Sequence, residues 1–206
     1  MSDELCKRVS VSAAFFIELE FQETGGYAYR FYKASYGQQP TYAQFMPDRS
    51  RVVGGTNLDA GKQAFADQWV LRPEFLQKYP LMMQPGDFVD ALIATVKATT
   101  NGVVNSASQR ATLQASGRGS VVRQVAENAA LRQAEYNKAF VLMQYFGYLR
   151  RDPDQGGYDF WLDVLNNRVQ NNYRGMVCAF TSSAEYQYRF SSVRTRNDSI
   201  CGNLAP

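Results

Sequence analysis

The sequence predicts an all-α protein made of tandem repeats of short amphipathic helices packed side by side. Apolar residues recur at helical spacing, for example at Tyr158, Trp161, Leu162 and Leu165. The alternation typical of strands is hard to find over more than about four residues. A motif also returns, since Pro40 follows Tyr32 by eight residues and Pro153 follows Tyr145 by eight. Repeats of this kind bury their apolar faces against one another.

Turn and cap residues divide the chain into many short helices. Glycine-rich breaks fall at Gly25-Gly26, Gly54-Gly55, Asn101-Gly102, Gly117 to Gly119 and Gly156-Gly157. Asn57 is predicted to cap one helix, and Ser106 with Gln109 has the spacing of a capping box. Pro73 and Pro85 suit the first turn of a helix, where no amide proton is needed.

A unit of about 50 to 60 residues recurs along the chain. Each unit ends in a short acidic and aromatic signature, at Leu19-Glu20-Phe21, Arg72-Pro73-Glu74-Phe75 and Ser183-Ala184-Glu185-Tyr186, with a degenerate counterpart at Ala126-Glu127-Asn128. The first signature has no opening helix before it, so we expect a longer parent protein. The predicted division is 1–22 as the end of a truncated upstream repeat, 23–80 as repeat 1, 81–137 as a degenerate repeat 2, 138–190 as repeat 3 and 191–206 as a C-terminal tail.

Composition limits the possible functions. The 206 residues are 45% hydrophobic and 20% charged, as in ordinary folded proteins. The net charge is only +3 and the basic residues are scattered, so we expect no nucleic-acid partner. No apolar run approaches the roughly 18 residues that span a bilayer, so we expect no membrane insertion. Histidine is absent, which removes the commonest general base and zinc ligand and favours a protein without catalysis or cofactor.

The three cysteines fit no metal-binding spacing. Cys178 lies in the apolar stripe of a predicted helix and is interpreted as a buried thiol. Cys6 and Cys201 lie in polar, loop-like ends and could pair with each other or with segments outside this chain. A disulfide between them would indicate an oxidising compartment.

The segment from Phe140 to Phe190 contains a Gly-Tyr-Leu-Arg-Arg-Asp-Pro-Asp turn, a Gly-Tyr-Asp-Phe-Trp helix start and a Ser-Ser-Ala-Glu-Tyr signature. It resembles domain-of-unknown-function family 4214, which is similar to the linker domain of phycobilisomes. The positions that fit the family motif are Arg151, Pro153, Asp154, Gly157, Trp161, Ser183, Glu185 and Tyr186. The first repeat departs from it, with Gln38-Gln39 in place of the Arg-Arg-Asp run and Asp48 in place of Trp161.

This resemblance implies a phycobilisome-linker-like helical module of bacterial secreted and surface proteins. It therefore implies an extracellular or cell-surface location, and it implies no catalytic residues. Structural roles are expected for Pro153, Gly157, Ser183, Glu185, Tyr186, Glu74 and Phe75. The glutamate of each signature should lie in the first turn of a short helix, where it favours the helix dipole.

Two kinds of site are suggested by the residues. The carboxylates Asp152, Asp154, Asp159 and Asp163 partly match a calcium loop, although a turn in which Asp154 caps the next helix is the favoured interpretation. Tyrosines, arginines and tryptophan could line a groove that binds sugar rings, and the candidates are Tyr29, Tyr32, Tyr36, Arg150, Arg151, Tyr158 and Trp161. The alternative for each tyrosine is a place in the core.

Lys62, Lys78, Lys97 and Lys138 are expected on solvated faces.

These observations predict a non-catalytic extracellular module for anchoring or adhesion at a bacterial surface, with an envelope glycan as its partner. The alternative is a structural linker that organises protein subunits in a larger assembly. A glycan binder should have a tyrosine-lined concavity, whereas a linker should bury a broad apolar patch in an oligomer.

Overall fold

The computed structural model describes residues 3–100, 109–197 and 200–201. Every regular element in these ranges is helical, which confirms the predicted all-α class. None of the helices in the described part of the chain is long and apolar enough to cross a membrane.

The helices are short and are joined by short connections. Their bounds are α1 Asp3–Ile17, α2 Leu19–Glu23, α3 Gly25–Tyr36, α4 Tyr42–Arg49, α5 Leu58–Trp69, α6 Pro73–Lys78, α7 Pro85–Thr99, α8 Arg110–Gln114, α9 Arg118–Ala126, α10 Ala129–Gln144, α11 Gln155–Asp163, α12 Tyr173–Ser182 and α13 Ala184–Tyr188. Two π-helical turns, Tyr145–Leu149 and Val164–Arg168, continue α10 and α11.

The chain forms two compact units, which we call the central unit (Gln22–Glu135) and the terminal unit (Met1–Phe21 with Tyr136–Pro206). The division falls inside α2 and inside α10. The central unit covers the segments that the sequence assigns to repeats 1 and 2. The repeat boundaries themselves remain a prediction.

The core of the central unit is aromatic. Helix α3 packs against α7 and α9, and α5 packs against α9. The Trp69 ring lies 5.4 Å from Phe31 and 4.8 Å from Tyr32, and its indole nitrogen donates to the Ser35 hydroxyl at 2.9 Å. A Cβ at Gly119 would lie 3.1 Å from the Asp67 backbone, so only glycine allows the close approach of α5 and α9.

The core of the terminal unit is also built from contacts between aromatic rings. Helix α1 packs against α12. The Phe16 ring meets Phe140 at 6.3 Å and Tyr148 at 5.9 Å, and the Tyr145 ring meets Phe180 at 5.0 Å. Edge-to-face aromatic pairs of this kind add to the free energy that burial alone provides.

Several predicted helix starts are confirmed. Pro73 and Pro85 each open a helix, α6 and α7. Asn57 precedes α5, but its side chain makes no capping hydrogen bond. The predicted cap at Ser106 lies outside the described residues. Thr41, which was not predicted, forms a capping box with Gln44 at the start of α4.

The cysteine predictions are wrong. Cys178 and Cys201 form a disulfide, and both residues are fully buried. Cys178 is therefore not a free thiol, and Cys201 is not available to Cys6. The apolar position of Cys178 in α12 indicated burial correctly, but the approach of the C-terminal segment to α12 depends on tertiary contacts that spacing does not encode.

Candidate functional site

A groove of about 390 Å³ lies in the central unit between the end of α3, the start of α4 and helix α6. Its walls are tyrosine rings, glutamine amides and one charge of each sign, contributed by Tyr32, Tyr36, Gln38, Gln39, Gln44, Glu74 and Lys78. We call it the Tyr36 groove. Its volume lies within the range of pockets that bind small ligands.

Tyr36 provides the aromatic wall. Its side chain is half-buried, and its ring lies 5.9 Å from the Trp69 ring. The Tyr36 hydroxyl is buried and has no hydrogen-bond partner among the described residues. Burial raises the pKa of Tyr36 far above its ordinary value, and the Glu74 carboxylate raises it further. The phenol therefore stays protonated and can donate a hydrogen bond.

Tyr32 forms the floor, but its hydroxyl is already engaged. It donates to the Asp48 carboxylate at 2.5 Å and to the Gln44 carbonyl at 3.1 Å. Arg72 donates to the same carboxylate at 2.8 Å and stacks over Trp69 at 4.0 Å. Burial raises the pKa of Tyr32, and its hydrogen bond to Asp48 raises it further. Tyr32 can thus offer a ligand a ring surface, but not its hydroxyl proton.

The two charged residues at the rim, Lys78 and Glu74, differ in their contacts with the rest of the protein. The Lys78 ammonium donates to the Ser35 carbonyl at 2.8 Å and to the Thr95 hydroxyl at 3.1 Å, and burial lowers its pKa. Glu74 lies in the first turn of α6, is exposed, and has no ion pair with any residue that the structure describes. The groove is therefore close to neutral overall.

This arrangement suits a ligand with hydroxyl groups. Aromatic faces contact the apolar side of a sugar ring, while glutamine amides and a carboxylate exchange hydrogen bonds with hydroxyls. Within the described ranges, no group of three or more histidine, cysteine or acidic side chains could hold a metal ion.

Tyr29 is not part of the groove. It is 1% exposed, and its hydroxyl donates to Glu135 at 2.8 Å inside the central unit. Its prediction as a ligand-binding residue is therefore wrong. All three tyrosines lie on α3, but helical spacing alone does not show which face of that helix meets the core.

The other predicted ligand-binding residues belong to the terminal unit. Arg151 donates to the two carboxylate oxygens of Glu185 at 2.6 and 2.9 Å. Tyr158 is 7% exposed and donates to the Lys138 carbonyl at 3.1 Å, so its prediction as a ligand contact is wrong. Trp161 packs against the Phe180 ring at 5.5 Å. Arg150 occupies the left-handed region, with a φ of 55°, and ends the π-helical turn.

The acidic turn caps a helix. Asp154 accepts from the Gly157 amide at 2.8 Å, which confirms the capping interpretation. Asp159 accepts from Gln155, and Asp163 accepts from Asn167 and Arg168, so these carboxylates serve separate local contacts. Together with Asp152 they are not brought to one point as a calcium loop requires.

The residues predicted to be structural have identifiable contacts. Ser183 caps α13 by accepting from the Tyr186 amide at 3.2 Å. Phe75 is fully buried, and the Tyr186 ring packs against Tyr148 at 5.6 Å. Pro153 directly precedes the capping residue Asp154.

Most of the polar wall of the Tyr36 groove, formed by Gln38, Gln39 and Gln44, was not predicted from the sequence. Gln38 and Gln39 stand where the first repeat departs from the Arg-Arg-Asp run, and this departure is the only feature of the sequence that points to the polar wall.

Lys62 was expected on a solvated face, but it is 4% exposed and is held by Glu23 and, at 2.9 Å, by Glu127. The lysine position was wrong because its burial depends on partners that are distant in sequence.

Comparison with known proteins gives a match in the C-terminal half of the chain, where the sequence motif of repeat 3 lies. No curated protein and no protein of solved structure gives a significant match to the chain. Residues 126–190 match the family described as Domain of unknown function (DUF4214), which confirms the resemblance predicted from the Arg-Asp-Pro-Asp turn and the signature at Ser183.

Proposed function

We propose that the protein is a non-catalytic interaction module of the bacterial cell surface, and that the Tyr36 groove binds an envelope glycan. The observation that carries this proposal is a Tyr36 hydroxyl and a Glu74 carboxylate that have no partner among the described residues, in a groove lined by aromatic rings and amides. A buried hydroxyl without a partner costs free energy of about 1–3 kcal/mol. A small shift of the rim that lets a ligand hydroxyl meet it would recover part of that cost.

We also propose a phycobilisome-linker-like organisation of tandem repeats, and matching backbone conformations at two places in the chain support the repeat. Gly37 follows Tyr32 by five residues and Arg150 follows Tyr145 by five, and both have left-handed φ values of 74° and 55°. Thr41 and Asp154 then stand at equal distances, in extended conformations, and each caps the following helix.

Matching side-chain contacts support the same organisation. The Tyr32 ring meets Trp69 edge-on at 4.8 Å and 85°, and the Tyr145 ring meets Phe180 at 5.0 Å and 84°. Trp69 and Phe180 stand three residues before Arg72 and Ser183, the residues that precede α6 and α13.

The comparison of the two repeats explains why the groove lies in the central unit. Glu185 occupies the place in α13 that Glu74 occupies in α6, and it is bound by Arg151. Gln38 stands at the position equivalent to Arg151, six residues after the paired tyrosine. Because Gln38 carries no charge, Glu74 remains without an ion pair, and the space between them remains open.

This charge pattern favours a neutral sugar. The residues that line the groove include one ammonium, Lys78, and one carboxylate, Glu74, so the groove has no net positive charge to hold a polyanion. The exposed Glu74 would repel a phosphate or carboxylate polymer. We therefore place neutral or N-acetylated envelope polysaccharides ahead of anionic ones.

The proposed surface location is supported by the disulfide. A buried Cys178–Cys201 bond is typical of proteins that fold in an oxidising compartment. The family resemblance implies the same location.

A structural-linker function is the second candidate, and exposed apolar side chains favour it. Leu71 is 64% exposed and Leu81 is 68% exposed, both in the central unit. A linker would bury these side chains in an assembly, and sedimentation would then show association that Leu71→Glu weakens.

The glycan proposal is tested by measuring the affinity of the protein for a purified neutral envelope polysaccharide. The Gln38→Ala and Glu74→Gln variants should each weaken binding by about fivefold or more, because the first removes an amide from the wall and the second replaces a charged acceptor by a weaker neutral one. Gln77→Ala is the matched control, since Gln77 is exposed on α6, the helix of Glu74, but does not line the groove.

A Gln38→Arg variant gives a sharper test. It should pair with Glu74 as Arg151 pairs with Glu185, close the groove and abolish binding while leaving the fold intact. Equal affinity of this variant and the wild type would contradict the proposal.

A further inference from the structure

A second groove of about 460 Å³ lies elsewhere in the central unit, between α7, α8 and the start of α9. Its lining is mostly apolar. Leu81, Met82 and Met83 lie at the open rim, and the base is formed by residues that are at most 2% exposed, Phe88, Val89, Leu113 and Val121. Methionine side chains adapt to the shape of unbranched apolar ligands. Met82 is 87% exposed, so the rim of this groove is open to solvent.

Arg118 forms one wall of this groove and is the exception to its apolar lining. Its guanidinium lies over the Phe88 ring, 4.3 Å from the ring centre. Two of its nitrogens donate to the carbonyls of Tyr79 at 2.8 Å and Pro80 at 3.1 Å. Its Nε is buried and has no hydrogen-bond partner among the described residues.

The charge of Arg118 is not neutralised locally. No ion pair joins it to a carboxylate in the described part of the chain, and none of the residues that line the groove is acidic. Asp90, on α7, is bound by Arg110 at 2.5 Å. Burial lowers the pKa of Arg118, but the guanidinium remains charged near neutral pH.

The start of α9 carries a partial positive charge, which the Asp67 carboxylate beside Gly119 offsets in part. Gly117 precedes this nine-residue helix and also lines the groove, and no side chain caps its first turn. The first amides of a helix and its dipole both favour an anion. The groove therefore combines an apolar body with one end that attracts negative charge.

We propose that this groove binds an aliphatic carboxylate, an unbranched apolar chain with a single acidic end. The chain would lie along Leu81, Met82 and Met83, and the carboxylate would pair with Arg118. Charge complementarity argues for this ligand, since a purely apolar chain would leave the guanidinium without a counter-charge. The inference is independent of glycan binding in the Tyr36 groove.

The test compares decanoate with decanol by titration calorimetry, with both ligands below the concentrations at which they aggregate. Decanoate should bind the wild-type protein at least tenfold more tightly than decanol. Arg118→Gln should remove that difference while decanol affinity stays unchanged, which also shows that the variant is folded.

A second variant avoids any change to the hydrogen bonds of Arg118. Met82→Glu places a negative charge at the exposed rim and should weaken decanoate binding at least fivefold relative to decanol. Leu71→Glu is the matched control, because Leu71 is exposed in the same unit but does not line this groove.

Three results would overturn the proposal: no decanoate binding, equal binding of decanoate and decanol, or an unchanged preference in Arg118→Gln. Binding of an apolar peptide with a free C-terminal carboxylate, without binding of decanoate, would also overturn it and would indicate a peptide site instead.

Discussion

Tyr32 and Tyr36 lie one turn apart on α3, and they differ in one physical respect. The Tyr32 hydroxyl has two acceptors, Asp48 and Gln44, whereas the buried Tyr36 hydroxyl has none among the described residues. The sequence could predict both tyrosines as groove candidates. It could not predict which of them would be satisfied, because Asp48 and its partner Arg72 reach this point only through the packing of α4 and α6.

This difference predicts opposite effects of the same substitution. Tyr36→Phe should raise the free energy of unfolding by about 1 kcal/mol, because it removes a buried polar group without a partner. Tyr32→Phe should lower it by about 1.5–3 kcal/mol, because it removes a hydrogen bond to a charged group. Urea denaturation measures both values. A loss of stability in Tyr36→Phe would mean that its hydroxyl has a partner.

Gly157 and Gly156 provide a second matched pair. A Cβ at Gly157 would lie 2.5 Å from the Tyr145 hydroxyl and 3.1 Å from the Asp154 carboxylate, whereas a Cβ at Gly156 would meet nothing nearer than 3.7 Å. Gly157→Ala should therefore destabilise the protein by about 1–3 kcal/mol. Gly156→Ala should stabilise it by about 0.5–1 kcal/mol, because alanine favours the helix. Thermal unfolding compares them, and equal shifts would contradict the predicted close contact.

At the scale of elements, an ion cluster joins α2, α5, α9 and α10 in the central unit. Glu23 is held by Lys62 and, at 2.6 Å, by Arg132, while Glu127 binds Lys62 and Arg123. Burial by itself raises the pKa of Glu23, but the hydrogen bonds from Lys62 and Arg132 outweigh it and lower the pKa.

This shift predicts a dependence of stability on pH. The pKa of Glu23 in the folded state lies below its ordinary value of 4.5, so its contribution is present above pH 4.5 and is lost as the pH falls through the lowered value. Glu23→Gln should reduce the acid-induced loss of stability between pH 5 and about pH 3. Glu18→Gln is a control on an exposed glutamate between α1 and α2. Identical pH profiles of the wild type and Glu23→Gln would contradict the role of the cluster.

Proline and capping residues in the sequence predicted where helices begin better than the sequence predicted which helices and side chains meet. Pro73, Asp154 and Ser183 occupy the predicted helix starts, because proline and capping side chains act within a few residues. Lys62 and Tyr29 were misplaced, because their burial depends on Glu127 and Glu135, which are far away in sequence. The polar wall of the Tyr36 groove could be predicted only from the departure of Gln38-Gln39 from the family motif.

At the scale of the whole molecule, the disulfide fastens the C-terminal segment to α12. Gln187 adds to this attachment, since its side chain donates to the Arg196 carbonyl at 2.9 Å and accepts from the amides of Thr195 and Arg196. The disulfide closes a loop between residues 23 positions apart. A loop of that size is worth about 3 kcal/mol through the entropy of the unfolded chain.

Reduction should therefore lower the free energy of unfolding by about 3 kcal/mol. Cys201→Ser should show the same loss without reductant, whereas Cys6→Ser should leave stability unchanged within about 0.5 kcal/mol. Peptide mapping under non-reducing conditions identifies the pair directly. A Cys6–Cys201 linkage, or an unfolding curve unaffected by reductant, would contradict the structure of this segment.

Glycan binding in the Tyr36 groove is tested most directly by a chemical-shift titration of the ¹⁵N-labelled protein with fragments of a neutral envelope polysaccharide. Saturable shifts should be concentrated at Gln38, Gln39, Glu74 and Lys78, with Arg151 and Glu185 unaffected. A titration that leaves the amides around Tyr36 unchanged, or that moves those around Arg151 instead, would contradict the assignment of the Tyr36 groove as the glycan site.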